Sequence, residues 1–309
     1  MGTEEIVLAE GMPARRSRGL WSDAARGLLR KKTALVGVVL LVLMASLALL
    51  APLIAPFDPQ EVLLGDGVRP RDPPCVHVLG CDDATPQHIL GIDGNGRDLF
   101  SRMVFAARVS LVAGLGAVAL AVAIGTLLGL LAGFFGGWID NGIMRVMDVL
   151  LAFPALLLAI AIVSVLGPGL FNAILAITTV TIPVYARVVR ASVLGIRGQD
   201  FVIADQALGV SSARLLWHRI LPNSLTPLVV QATLGIATAV LEVAALSFLG
   251  LGIQPPTAEW GSMLAAERNQ VFTSPHLVFF PGLAIMVTVL AFNLIGDGLR
   301  DALDPRLNR

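Results

Sequence analysis

Residues 148–187 have the sequence DVLLAFPALLLAIAIVSVLGPGLFNAILAITTVTIPVYAR, and no charged side chain stands between Asp148 and Arg187. A helix needs only about 20 apolar residues to cross a hydrocarbon layer about 30 Å thick, so this run is too long for one helix. Gly167-Pro168-Gly169 lies near its middle, and that combination favours a turn over a continuing helix. The run therefore predicts two membrane-spanning helices joined by a hairpin.

The composition of the whole chain agrees with a membrane protein. Of 309 residues, 56% are hydrophobic and only 14% are charged, and the mean hydropathy is +0.80. In a soluble domain about a quarter of the residues are charged, which is well above the fraction in this chain. The net charge is zero, so nothing indicates a nucleic-acid partner.

Other apolar runs complete the set of spans. They are residues 33–55, the uncharged stretch between Arg108 and Asp140, residues 225–250 and residues 277–295. Together with the hairpin they predict an all-α, polytopic membrane protein with six transmembrane helices. The predicted divisions are a tail at 1–32, the first span at 33–55, an outer loop at 56–107, a core of five spans at 108–298 that includes an inner loop at 187–222, and a second tail at 299–309. The polar tail and the long first run do not fit a cleaved signal peptide, so the first span is expected to be retained.

The basic residues predict the orientation of these spans, because Lys and Arg are enriched on the cytoplasmic side. They cluster before the first span, in the inner loop and after the last span: Arg15, Arg16, Arg18, Arg26, Arg30, Lys31 and Lys32, then Arg187, Arg190, Arg197, Arg214 and Arg219, then Arg300, Arg306 and Arg309. Without the hairpin, the second cluster would face outside. We therefore expect both termini in the cytoplasm.

The inner loop contains two short helical patterns. Residues 199–208 predict a helix that Gly209 ends, and residues 213–220 predict a second that follows a serine cap. Pro222 is expected to interrupt the pattern before the fifth span. The apolar side chains exclude a simple solvated linker, and such a helix either lies on lipid or docks into a groove of a partner.

The same loop resembles a family motif. Ala204-Asp205-Gln206-Ala207-Leu208-Gly209, followed by Ile220-Leu221-Pro222-Asn223, resembles the coupling loop of binding-protein-dependent ABC permeases. That pattern runs Glu-Ala-Ala, three residues, Gly, then Ile-x-Leu-Pro. Ile203 stands where the pattern has Glu, Asp205 where it has its second Ala, and Arg219 where it has Ile. The resemblance implies that Ala204, Asp205, Ala207, Leu208, Gly209, Leu221 and Pro222 form an ATPase-coupling loop.

Four further stretches resemble one branch of that family, the C-type permease of dipeptide and oligopeptide transporters. They are residues 52–59, residues 88–111, residues 245–264 with Ser247-Phe248-Leu249-Gly250-Leu251-Gly252 and Glu259-Trp260-Gly261, and residues 296–306. They occur in order and cover nearly everything after residue 33.

This resemblance implies a non-enzymatic membrane subunit of an ATP-driven importer in a bacterial plasma (inner) membrane. A second homologous permease, cytoplasmic ABC ATPase subunits and an extracytoplasmic solute-binding protein are its implied partners in the bilayer. ATP and Mg would be bound by the ATPase subunits, with no cofactor in this chain. Di- or oligopeptides are the implied cargo, and nickel chelates, glutathione or sugars are alternatives. A self-contained secondary transporter is disfavoured because only Glu242 is well inside a span.

Several other residues are candidates for a structural or functional role. Arg97 and Asp98, beside the Gly-rich turn at 94–97, are expected to form exposed local ion pairs with a structural or gating role. Glu242 is an intramembrane acid, and we expect it to make a structural hydrogen bond between helices rather than to couple protons.

The two cysteines, Cys75 and Cys81, fall in the outer loop. On this topology they face the oxidising side, where disulfides form and persist. A disulfide, a metal site that includes His77, and free thiols are the alternatives. Neither a CxxC pair nor an HExxH motif occurs, so no residue is assigned as a metal ligand and the disulfide is the favoured alternative.

Overall fold

The computed structural model describes residues 27–29, 31–65, 67–81 and 87–303. These residues form helices and turns without a strand, which confirms the all-α fold class. The predicted tail at 1–32 lies mostly outside them, as do residues 304–309 of the predicted tail at 299–309. The α-helices are α1 (Lys32–Leu49), α2 (Ala51–Ile54), α3 (Leu99–Phe135), α4 (Gly137–Leu151), α5 (Ala155–Leu166), α6 (Leu170–Ile196), α7 (Asp200–Ala207), α8 (Ser212–Leu215), α9 (Leu221–Phe248), α10 (Trp260–Glu267) and α11 (His276–Leu303). A π turn at Leu216–Ile220 joins α8 to α9, and short 3₁₀ turns lie at His77–Leu79 and Arg268–Gln270.

Helices α3 and α6 make the most extensive contact between two membrane helices. Gly125, Gly129 and Gly133 recur every fourth residue and so lie on one face of α3. A Cβ on Gly129 would lie 2.5 Å from the Ala186 carbonyl oxygen and 2.8 Å from the Cβ of Val189, closer than packed atoms approach. Small residues at this spacing let two helix backbones approach within a membrane. The glycines therefore set the distance between these helices.

The hairpin predicted at 167–169 is confirmed. Helix α5 ends at Leu166, α6 begins at Leu170, and the backbone φ of Gly167 is +89°. The side-chain amide of Asn172 donates to the carbonyl oxygens of Leu166 and Gly167, 3.0 Å away in each case. These bonds satisfy carbonyl groups that the end of α5 leaves without helical partners.

The third span is part of a bent pair of helices. Among the described residues, five helical segments are long and apolar enough to cross a membrane, and the sixth candidate is the pair α4–α5, bent by 91°. With 12 residues, α5 is only about 18 Å long. Pro154 precedes it, and a residue before proline is restricted away from helical geometry. Asp140 and Asp148 of α4 pair with Arg190 and Arg187 of α6, which keeps α4 beside the inner end of α6.

Three predicted boundaries are shifted because helices extend beyond the apolar runs. Helix α3 begins at Leu99, inside the outer loop predicted at 56–107, because Asp98 caps it and the first turns are paired with that loop. Helix α6 continues to Ile196, so the inner loop predicted at 187–222 starts later. Helix α11 continues to Leu303 into the predicted tail at 299–309, where Lys31 forms an ion pair with Asp301.

Pro222 does not interrupt the helix, contrary to the sequence expectation. The segment from Ser212 to Phe248 is continuous, and the π turn ends at Ile220, two residues before the proline. Proline has no N–H and its ring clashes with the carbonyl group four residues earlier. A wider turn accommodates both effects. In addition, the Asn223 side chain donates to the Arg219 carbonyl oxygen over 2.6 Å.

A second apolar core lies on the outer side, where α10 packs against α9 and α11. Trp260 is almost fully buried there, and its indole N–H donates to the Met103 carbonyl oxygen over 3.2 Å. A buried tryptophan with its polar atom satisfied fixes the position of the elements around it. This core ties the outer loop to the membrane helices.

Candidate functional site

Helix α7 forms the most exposed part of the inner loop. Gly209 ends it as predicted, with φ at +77°, a conformation that residues with a Cβ rarely adopt. The Leu208 N–H donates to the Ala204 carbonyl oxygen over 3.0 Å, and the Val210 N–H donates to the Asp205 carbonyl oxygen over 3.1 Å. The chain thus reverses direction directly after α7.

The surface of α7 that faces away from the rest of the chain, called its outward face below, is largely apolar. Ile203 is 52% exposed and Leu208 is 82% exposed, and Ala204 and Ala207 are exposed beside them. Val202 lies on the opposite side and is fully buried. An exposed helix with an apolar face of this kind fits a groove in another molecule. Ile203, where the family pattern has a Glu, leaves that face without a charge at this position.

The other predicted members of the coupling loop lie apart from α7. Leu221 and Pro222 occupy the first turn of α9 and belong to the spanning helix. Leu215 and Ile220 are buried and anchor that helix to the main core. Ser211 stands at the N-cap of α8, but its side chain makes no capping hydrogen bond.

One residue of this site was not among the predicted site residues. Arg219 lies in the π turn, and its Nε donates to Oδ2 of Asp205 over 2.6 Å. The ion pair joins α7 to the beginning of α9. The sequence signal was the departure of both positions from the family pattern, but a contact between residues fourteen apart needs the fold to show it.

The outer candidates, Arg97 and Asp98, are buried rather than exposed, and they do not pair with one another. Nε of Arg97 lies 2.8 Å from Oδ2 of Asp93, and Nε of Arg102 lies 3.2 Å from the same oxygen. Asp98 is the N-cap of α3, because its Oδ2 accepts from the Ser101 N–H over 2.7 Å. Its other oxygen lies 3.0 Å from Nδ1 of His88. The expectation of exposed pairs was wrong because the folded outer loop covers them.

Two glutamates make further hydrogen bonds on the outer side. Oε2 of Glu267 accepts from Nε of Arg71 over 3.0 Å, and Oε1 accepts from the Gly94 N–H over 2.8 Å. Glu259 caps α10 by accepting from the Gly261 and Ser262 N–H groups, over 2.9 and 2.8 Å. Burial raises the pKa of Glu259 above its usual value, although these N–H donors act in the opposite direction. These contacts hold the outer face in one arrangement.

Cys75 and Cys81 form a disulfide in the structure, with their Cα atoms 5.4 Å apart. The bridge lies beside His88 on a surface groove of the outer loop. The sulfurs are consequently not placed to bind a metal. Within the described part of the chain, no three His, Cys, Asp or Glu side chains are grouped as metal ligands.

Glu242 lies on α9 at the contact with the main core. Ala239 and Leu246, three residues before it and four after it, are fully buried in that core. Its Oε2 is buried and has no hydrogen-bond partner among the described residues. The expected hydrogen bond between helices is therefore not made by this oxygen.

Two family models match the chain. Residues 125–309 match the family described as binding-protein-dependent transport system inner membrane component. Residues 19–74 match the N-terminal TM domain of oligopeptide transport permease C. Both matches include described spans, and the first includes the whole inner loop.

Individual relatives are similar over almost their full length. The chain is 46% identical to the dipeptide transport system permease protein DppC of Alkalihalophilus pseudofirmus, over 93% of this chain and 90% of that protein. It is 47% identical to the di/tripeptide transport system permease protein DppC of Pseudomonas aeruginosa, over 89% of each. It is 45% identical to the glutathione transport system permease protein GsiD of Shigella flexneri, over 93% of this chain and 91% of that protein.

Among solved structures, the fold is similar to a chain of the MetNI methionine ABC transporter in its inward-facing conformations. The TM-score is 0.54 at 18% sequence identity, and the match covers 66% of this chain and 96% of that chain. At this identity the similarity is one of fold alone.

Proposed function

The chain belongs to the binding-protein-dependent transport system inner membrane component family, and from that premise we propose that it forms half of the translocation pathway of an ATP-driven importer for di- or oligopeptides. It is an ABC permease subunit, a multi-pass membrane protein without catalytic function of its own. The proposal concerns its cargo, its partners and the way in which ATP hydrolysis acts on it.

The observation that carries the proposal is the geometry of α7. A short helix with an apolar outward face stands on the side of the basic clusters, next to the inner ends of α6 and α9. Such a face is suited to docking in a groove of a partner. Cytoplasmic ABC ATPase subunits, which bind ATP and Mg, would displace α7 when they close, and the membrane helices would follow. The physical requirement is a two-state element whose equilibrium the nucleotide biases.

The remaining partners are proposed from the same family. A second homologous permease would complete the pathway, and an extracytoplasmic solute-binding protein would deliver cargo to the outer face. The relatives named above come from bacteria, which supports a location in the bacterial inner membrane.

Peptides are favoured as cargo because relatives named for dipeptide and di/tripeptide transport are 46–47% identical to this chain. Glutathione is the second candidate, since a relative named for glutathione transport is 45% identical over a similar length. Glutathione is itself a small peptide, so both candidate cargoes require a translocation pathway for small peptides.

Uptake by the purified complex tests the proposal. The complex, captured through this chain and identified by mass spectrometry, is reconstituted in proteoliposomes with its binding protein. We expect ATP-dependent uptake of a labelled dipeptide that unlabelled dipeptides block. Uptake of labelled glutathione that dipeptides do not block would favour the second candidate.

The purified chain alone should not hydrolyse ATP, because it has no Gly-x-x-x-x-Gly-Lys-Ser/Thr sequence. Hydrolysis without partner subunits, or uptake that persists without ATP, would contradict the proposed function.

A further inference from the structure

Helix α7 is held to the rest of the chain at few points. Among its eight residues, all of them described, Val202 is the only buried one. One buried apolar side chain positions a helix but leaves it free to rotate and slide, because apolar contacts have little directionality. A second contact is needed for α7 to move as one body with its neighbours.

The ion pair between Asp205 and Arg219 supplies that second contact. Asp205 lies one turn beyond Val202, on the same side of α7. Its side chain is 17% exposed, whereas that of Arg219 is 54% exposed. The 2.6 Å contact between Nε of Arg219 and Oδ2 of Asp205 is a charge-assisted hydrogen bond, which is directional as well as attractive.

Arg219 is itself fixed to the membrane part. It lies in the π turn between Leu215 and Ile220, which are buried in the main core. The turn continues without a break into α9, so a force on Arg219 acts on the end of a spanning helix. The ion pair thus connects α7 to the end of a membrane span.

Both residues also depart from the coupling-loop pattern, which has Ala and Ile at these positions. Neither of those side chains can form an ion pair. In this chain the two departures from the pattern lie at the two ends of one contact.

We propose that Asp205 and Arg219 are a positioning pair that makes α7 and the beginning of α9 move together, so that displacement of α7 by an ATPase subunit reaches the membrane span. The inference rests on the proposed function for the identity of the partner. The apolar outward face of α7 binds that partner, and the ion pair on its other side transmits the movement.

Substitution in the reconstituted complex tests the pair. Asp205→Ala and Arg219→Ala keep the docking face, so assembly with the ATPase subunits and ATP hydrolysis should persist. Cargo transported per ATP hydrolysed should fall by about fivefold, the upper end of what a half-exposed ion pair contributes. The exchange D205R/R219D restores the pair and should recover most of the loss.

Arg214→Ala is the matched control, since Arg214 is exposed on the same loop and pairs with no described residue. Its transport per ATP hydrolysed should stay within about twofold of that of the parent.

Two results in this series would overturn the pair. Unchanged coupling in both alanine variants would show that the pair transmits nothing. Loss of coupling that the exchange does not recover would show that Arg219 acts by contacting the partner directly.

A distance measurement keeps the test independent of the cargo. Spin labels at Gln206→Cys on α7 and Gln231→Cys on α9 report their separation in the assembled complex, and the native cysteines are bridged. With the pair intact, the separation should be the same with and without nucleotide, and in Asp205→Ala it should change and broaden. A separation that already varies in the intact pair would overturn the proposal. Absence of peptide uptake would contradict the proposed function instead, while the labels still decide the role of the pair.

Discussion

The outer and inner faces of this protein are stabilised in different ways. On the outer face, the ion pair of Arg102 with Asp93 connects the loop to α3, and that of Arg71 with Glu267 connects it to α10. A disulfide and the pair of Arg97 with Asp93 stabilise the loop itself. On the inner face, α7 is joined by one buried valine and one half-exposed ion pair, and Leu208 is 82% exposed. The outer elements are thus held together by buried contacts within the chain, whereas α7 has few such contacts and exposes an apolar surface.

The largest effect should follow from breaking the outer cluster. Asp93→Ala leaves Arg97 and Arg102 buried without their shared carboxylate. Removing one member of a buried ion pair typically costs about 3–5 kcal/mol, because a charge remains buried and unpaired. We expect a loss of that size in the free energy of unfolding, measured in detergent with denaturant. Glu61→Ala removes an exposed carboxylate from the same loop and should change stability little. Equal stability of the two variants would contradict the comparison.

Removing the outer disulfide should have the next largest effect. A bridge between residues six apart closes a short loop, and the chain-entropy relation gives about 2 kcal/mol for it. Cys75→Ser/Cys81→Ser should therefore be less stable than the parent by about that amount. A reductant should destabilise the parent and leave the double variant unchanged. Sensitivity of the double variant to the reductant would mean that the effect lies elsewhere.

On the inner face, a charge on the docking surface should weaken the complex rather than the fold. Leu208 is too exposed to contribute much to the stability of the isolated chain. Burying a leucine in a partner is worth about 1.5–3 kcal/mol, so Leu208→Asp should weaken ATPase binding by about tenfold or more. Co-purification and titration with the ATPase subunits measure this. The control is Gln206→Glu on the same helix. A variant that binds as well as the parent would show that the apolar face of α7 is not the docking surface.

The smallest change in free energy is expected at the end of α7. With φ at +77°, Gly209 has a backbone conformation that costs other residues about 1–2 kcal/mol. Gly209→Val should lower cargo uptake with insertion intact, and Gly209→Asn should be milder because Asn tolerates this conformation. Gly195→Val, at an exposed helical glycine with open space around it, serves as the control. Normal uptake by Gly209→Val would contradict the role of this helix end.

The inner loop also shows how far the sequence predicts a site. The end of α7 at Gly209 and its apolar face follow from residues that are neighbours in the chain. The helix through Pro222 does not, because the π turn that precedes the proline accommodates it. The burial of Arg97 and Asp98 was missed for a similar reason, since the residues that cover them come from other parts of the fold.

By itself, the sequence determined that the chain is an all-helical membrane protein with a hairpin at 167–169 and a short inner-loop helix that Gly209 terminates. These features depend on free energies summed over contiguous residues, namely the transfer of apolar runs into lipid and local backbone preferences. Only the tertiary structure decided the bend between α4 and α5, the buried outer cluster and the contact of Asp205 with Arg219. Each of these depends on side chains that are distant in the chain, and an ion pair forms only where the packed helices bring two charges within a few ångströms.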